Sequence, residues 1–169
     1  IKVEREGPLV AITLARPERR NAITVAMYDR LASAIAEAAA DPTVRAITLA
    51  GEGQDFAAGN DLADFMTALP RELGEEIPVW RLLRVLAECE TPIVAAVHGN
   101  CVGIGTTMLL HCDLVIAEDG ARFSLPFVEL GLVPEAASSL LLPLLVGRRH
   151  AARYLLLGET FGADEAVAI

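Results

Sequence analysis

Lysine is almost missing from this 169-residue sequence: of its 14 basic residues all but Lys2 are arginine, set against 23 acidic ones. The formal charge is −9. No basic stripe exists that would track a phosphate backbone, so nucleic acid is not an expected ligand. Long apolar runs are absent too. Leu140–Val146 is cut by Pro143, and Ile104–Ala117 by His111 and Asp113; neither reaches the roughly 20 apolar residues of a membrane-spanning helix. Cysteine is scarce, and Cys89, Cys101 and Cys112 show neither a CxxC pair nor the ligand spacing of a zinc site. They read as reduced core thiols of a cytoplasmic protein, with no metal expected. The N-terminus, IKVEREGP, has no basic-then-apolar secretion pattern.

What is present is apolar. Hydrophobic residues make up 53% of the chain and the mean hydropathy is +0.43. That surplus implies apolar surface reserved for a partner, and self-association is the plain expectation. The length suits one domain, residues 1–169.

Alternating apolar and polar residues over Ile1–Glu6 and Leu9–Leu14, around Gly7-Pro8, predict a β-hairpin. Thr24 is placed to cap a helix whose apolar residues Met27, Leu31, Ile35 and Ala38 recur at helical spacing, and Asp41-Pro42 stops it. Three short apolar strands follow: Val44–Leu49 and Ile93–Val97, each leading into a glycine-containing loop and a helix, and Leu114–Ala117, followed by Phe123–Pro126 and Glu129–Gly131. Short strands buried on both faces and alternating with helices predict a wound α/β architecture. Asp61–Met66 and Pro78–Glu90 read as helices, Ala68–Glu76 as a surface segment at an entrance. From Ala136 the pattern is helical, interrupted at Gly147 and Gly158, and the helical pattern Ala163–Ile169 has no stop, which suggests a truncated C-terminal segment.

Two strand-to-helix junctions are rich in small residues: Phe56-Ala57-Ala58-Gly59-Asn60-Asp61-Leu62, and the stretch from His98 to Thr106 containing Gly99, Gly103 and Gly105. Helices that start at such junctions aim free N–H groups at a ligand, and two converging N–H groups form an oxyanion hole. Tight turns alone would explain either loop. A dinucleotide fingerprint is excluded, because Gly103-Ile104-Gly105 is followed by Thr106-Thr107-Met108 and no third glycine.

Together the motifs resemble the enoyl-CoA hydratase/isomerase (crotonase) family. FAAGNDL is similar to its FxAGxDL segment, and IVAAVHGNCVGIGTTMLLHCDLVIA to its strand, glycine loop, helix and strand. RPERRNAI and ARFSLPFVELGLVPEAASSLLLPLLVG resemble two further blocks, and the likeness runs in order from Ile1 to Ile169. It implies a spiral of repeated β-β-α units, an acyl-CoA thioester substrate with coenzyme A as part of it and no other cofactor, and a homotrimer or dimer of trimers. It also implies site residues. The thioester oxygen would be held by the amides of Ala58 and Ile104. Ala22 and the loop Ala58, Gly59, Asn60, Asp61 and Leu62 would contact coenzyme A, with Gly103 and Phe127 lining the acyl site. Asp61 is equally placed to cap the short helix after it.

Hydratases of the family use two glutamates, whose positions here hold Thr107 and Phe127. Glu135, in LVPEAASS, matches the single catalytic glutamate of the family's Δ3,Δ2-enoyl-CoA isomerases. One carboxylate between C2 and C4 can remove a proton from the first and return it to the second. Walls of Phe127, Leu132, Val133 and Ala136 would desolvate it and raise its basicity. Its plain alternative is a first-turn helix residue placed there by the dipole. Glu129 is the rival base; Ser138, Ser139, His98 and His111 read as structural, and Arg19 and Arg20 as loop residues able to meet phosphate. Hydration, another acyl-CoA isomerisation, and a non-catalytic CoA-ester-binding subunit are the alternatives to isomerisation.

Overall fold

The computed structural model describes residues 1–67 and 77–169. The predicted entrance segment Ala68–Glu76 lies outside them. Strand β1 (Lys2–Glu6) pairs antiparallel with β2 (Leu9–Leu14), with Gly7 at φ +59° in the turn. β1 is an edge strand exposed along its whole length, whereas β2 alternates and buries Val10, Ile12 and Leu14. β2 then pairs parallel with β3 (Ala46–Gly51), β3 with β4 (Ile93–Val97), and β4 with β6 (Leu114–Ala117). The main sheet therefore runs β1-β2-β3-β4-β6 among the described residues.

A second, smaller sheet explains the spiral. It contains β5 (Asn100–Val102), β7 (Arg122–Ser124) and β8 (Phe161–Gly162). β4 feeds β5, and β6 feeds β7, so each pass of the chain lays one strand in the large sheet and the next in the small one. The loop after β3 joins the same pattern through a parallel bridge between Ala57 and Cys101. Both small-residue junctions thus lie on the small sheet, where sequence alone showed only loops. Gly99 makes the turn from one sheet to the other: its φ is +57°, and a Cβ there would lie 1.9 Å from the Gln54 carbonyl oxygen.

Helix α1 (Val25–Ala40) starts where the Thr24 hydroxyl accepts from the Met27 amide at 3.2 Å, and it buries Met27, Leu31, Ile35 and Ala38 as its periodicity predicts. Each such side chain contributes about 1.5–3 kcal/mol through burial, less for alanine. Helix α2 (Leu62–Thr67) is short. α3 (Pro78–Glu88) begins with proline in its first turn and packs Leu82 and Leu86 inward, next to α1. α4 (Ile104–Thr107) is a single turn that runs into a 3-10 helix, Met108–His111. α5 (Ser138–Leu156) bends at Gly147, which has φ +76°, and α6 (Ala163–Ala168) follows β8. Arg153 of α5 bonds both Glu159 and Glu165 at 2.8 Å and so ties α6 down. No helix of the described residues is long and apolar enough to cross a membrane.

Candidate active site

The two junctions are stitched together by main-chain bonds. Ala57 N–H donates to Asn100 at 3.1 Å and Val102 N–H donates to Ala57 at 2.9 Å. On its other edge the first junction bridges Ile23: Ile23 N–H donates to Gly59 at 2.8 Å, and Asp61 N–H to Ile23 at 2.9 Å. In a parallel bridge the residues flanking Asn60 make these bonds, so the N–H of Asn60 itself points to the opposite side. Ile104 opens α4, where position alone leaves its N–H outside the helical ladder. Asn60 and Ile104 line one cavity of about 110 Å³, along with Ala58, Gly59, Leu62, Gly103 and Phe127.

One predicted oxyanion donor is corrected. The Ala58 amide donates to the Arg20 carbonyl at 2.9 Å and is spent within the fold. Asn60, two residues on, lines the cavity and has its amide on the side away from Ile23. Two of the predicted coenzyme A contacts also change character. Asp61 accepts from the Asp64 amide at 3.2 Å and from Arg16 at 2.8 Å, so it caps α2 and forms an ion pair. The Arg16 hydrogen bond, then that of the Asp64 amide, holds its carboxyl below the usual range. At Ala22 the amide donates to Arg19 and the carbonyl accepts from Arg16, leaving only the carbonyl's second lone pair.

Glu135 does not sit in a helical first turn, because α5 begins only at Ser138. It belongs to a loop in which Ala136 and Ala137 both adopt φ +53°, a left-handed conformation costly for a residue with a Cβ. That loop is pinned by the Ser138 hydroxyl, which donates to the Glu135 carbonyl at 2.6 Å, and by His111 Nε2 at 2.9 Å from the Ala136 carbonyl. Oε1 of Glu135 accepts from the Thr107 hydroxyl at 2.5 Å. Oε2 is buried and has no hydrogen-bond partner among the described residues. Burial pushes the carboxyl up to about 6, against the lowering effect of the Thr107 bond. Of the apolar wall expected around it, Phe127 and Ala136 are buried, but Leu132 and Val133 are 52% and 84% exposed.

Glu135 is not part of the lining of the 110 Å³ cavity. It is connected to it twice. Thr107 lies one turn after Ile104 on α4, and Tyr28 lies between the two loops. The Tyr28 hydroxyl donates to the Asn60 side-chain oxygen, and burial first, then the charge of Glu135, pushes its phenol far above the ordinary value. Neither Tyr28 nor Thr107 was foreseen as a hydrogen-bond partner here; the one trace in the sequence is a hydroxyl on an otherwise apolar helix face. Glu129 is exposed and turned toward Gly158. His98 bonds the Gly53 carbonyl at 3.1 Å. Arg19 and Arg20 are exposed, the latter 3.8 Å from Asp55.

Comparison with known proteins agrees with this architecture. The enoyl-CoA hydratase/isomerase family profile matches residues 4–169. The chain is 36% identical to 1,2-epoxyphenylacetyl-CoA isomerase of Escherichia coli K12, over 95% of this chain and 63% of that protein. It is 38% identical to enoyl-CoA delta isomerase 2 of Rattus norvegicus, over 99% of this chain and 44% of that protein. A solved enoyl-CoA hydratase/isomerase from Pseudoalteromonas atlantica T6c superimposes with a TM-score of 0.93 at 46% identity, covering 99% of this chain and 66% of that one. This chain therefore spans less than two thirds of the curated relatives' length. Its motifs, its two-sheet spiral and its sequence place it in the enoyl-CoA hydratase/isomerase family of enzymes acting on CoA esters.

Proposed function

We propose that the chain carries the core of an enoyl-CoA isomerase, which shifts a double bond from C3 to C2 of an acyl-CoA thioester with Glu135 as the sole proton carrier. Support comes chiefly from one observation: Glu135 keeps a buried oxygen without a partner among the described residues, on a carboxyl that burial raises to about 6. A group tuned there is ionised at neutral pH yet still able to hold a proton between two transfers.

In this mechanism Glu135 removes a proton from C2. The electron pair spreads over a dienolate, and its charge collects on the thioester oxygen. The amides of Asn60 and Ile104 are the donors for that oxygen, and losing one such donor typically costs about 2.7–4 kcal/mol of transition-state stabilisation. Glu135 then returns the proton to C4. No water is activated, and neither metal nor redox cofactor has a role. Hydration by two carboxylates is disfavoured because Thr107 and Phe127 occupy the positions at which the resemblance places them, and Thr107 is a hydrogen-bond donor to Glu135.

Trimeric association is part of the proposal. Leu114, Val115 and Ile116 of β6, which ends the main sheet among the described residues, are 61%, 42% and 64% exposed, an apolar edge that a monomer would leave prone to pairing. A reducing compartment suits the three free thiols. The test is a pair of substrates: a 3-enoyl-CoA should become the conjugated 2-enoyl isomer, and a 2-enoyl-CoA should gain no hydroxyl group. Rapid formation of the 3-hydroxyacyl product would contradict the proposal.

A further inference from the structure

We infer that Thr107 is a positioning residue for the base: its hydroxyl holds Oε1 of Glu135 and thereby assigns proton transfer to the other oxygen, Oε2. This rests on the isomerase proposal above.

Two adjacent threonines of α4 differ in what their hydroxyls do. Thr106 gives its hydroxyl to the backbone, to the Cys101 carbonyl of β5 at 2.6 Å and, at 3.2 Å, to the Ser124 carbonyl of β7. Thr107, 0% exposed, gives its hydroxyl to the Glu135 carboxylate. A threonine hydroxyl has one proton, so it can mark only one of the two carboxylate oxygens. Without that mark the oxygens would be interchangeable by rotation about the terminal side-chain bond. With it, Oε1 is an acceptor in both protonation states, and Oε2 is bare when ionised and carries the proton when neutral. The main chain of Glu135 is fixed independently, by Ser138 and by the two left-handed alanines. Because Ile104 opens the helical turn that Thr107 closes, the hydroxyl also fixes the base relative to the oxyanion amide.

The atoms balance. The C2–H bond breaks, an O–H bond forms on Oε2, and the electron pair passes through the dienolate to the thioester oxygen. The O–H bond then breaks, the proton joins C4, and the pair returns to leave C2=C3 and the thioester carbonyl.

The experiment compares wild type, Thr107→Val and Thr107→Ser in the same chain. The titration of the Glu135 carboxyl is followed by difference infrared spectroscopy, its band identified by loss in Glu135→Gln, and turnover of a 3-enoyl-CoA is measured in parallel. Thr107→Val should move the titration midpoint upward by about one pH unit and lower kcat by about tenfold or more, with KM within about twofold. Thr107→Ser should restore both. An unchanged midpoint in Thr107→Val would overturn the inference, and Thr107→Ala gives the same reading should the valine variant not fold. Absence of isomerisation in the wild type would instead defeat the isomerase proposal, while the infrared midpoint would still decide whether Thr107 holds the carboxylate.

Discussion

Two carboxylates flank the site, and the chain treats them in opposite ways. Asp61 has both oxygens engaged, one by the Asp64 amide and the other by Arg16, and its carboxyl is held below the ordinary range. Glu135 has one oxygen engaged and one buried without a partner among the described residues, and its carboxyl is raised from an ordinary 4.5 to about 6. A saturated carboxylate fixes structure; a buried one left short of partners is held ready for a proton. Buried polar atoms are satisfied almost everywhere in folded proteins, so an exception calls for a use.

The largest effect that could break this contrast is on turnover. Glu135→Gln should lower isomerisation by about 10²–10⁴-fold, whereas Asp61→Asn should leave kcat within about threefold, both measured from formation of the conjugated product. Next comes pH. Only ionised Glu135 can accept the proton, so kcat/KM should fall about tenfold per pH unit below about 6, a limb that Glu135→Gln lacks.

Stability should respond in the reverse sense. A folded-state value raised above the unfolded one means that Glu135 favours folding below about 4.5 and that this contribution is lost as pH rises through about 6. At pH 7, Glu135→Gln should therefore unfold at higher denaturant, by about 1–2 kcal/mol. Asp61→Asn, which weakens a helix cap and an ion pair, should lower Tm by about 2–4 °C. The smallest change is at Ala137, exposed and left-handed. Ala137→Gly should stabilise by about 1 kcal/mol by relieving backbone strain, as read in urea unfolding.

Much of this arrangement was legible in the residues. The parallel strands β3, β4 and β6 announce themselves as short apolar runs, and α1 by a capping threonine with apolar residues at helical spacing. β5, β7 and β8 were not legible, since strands of two or three residues carry too little alternation to separate from loops. Glu135 stood out by its place in LVPEAASS, but its surroundings did not. The helix thought to begin at Ala136 starts later, because two left-handed alanines intervene, and no propensity argument anticipates those. Nor could FAAGNDL reveal which amide faces the cavity. That depends on the carbonyls of Ile23 and Arg20, distant in sequence, which take up the amides of Asp61 and Ala58 respectively.

The most direct test of a lone carboxylate base is exchange at C2 in deuterium oxide, read by proton NMR on a saturated acyl-CoA that can lose a proton there but cannot isomerise. The wild-type chain should exchange the C2 hydrogens, and Glu135→Gln should not. Exchange that persists in Glu135→Gln at the wild-type rate would place the base elsewhere and contradict the account.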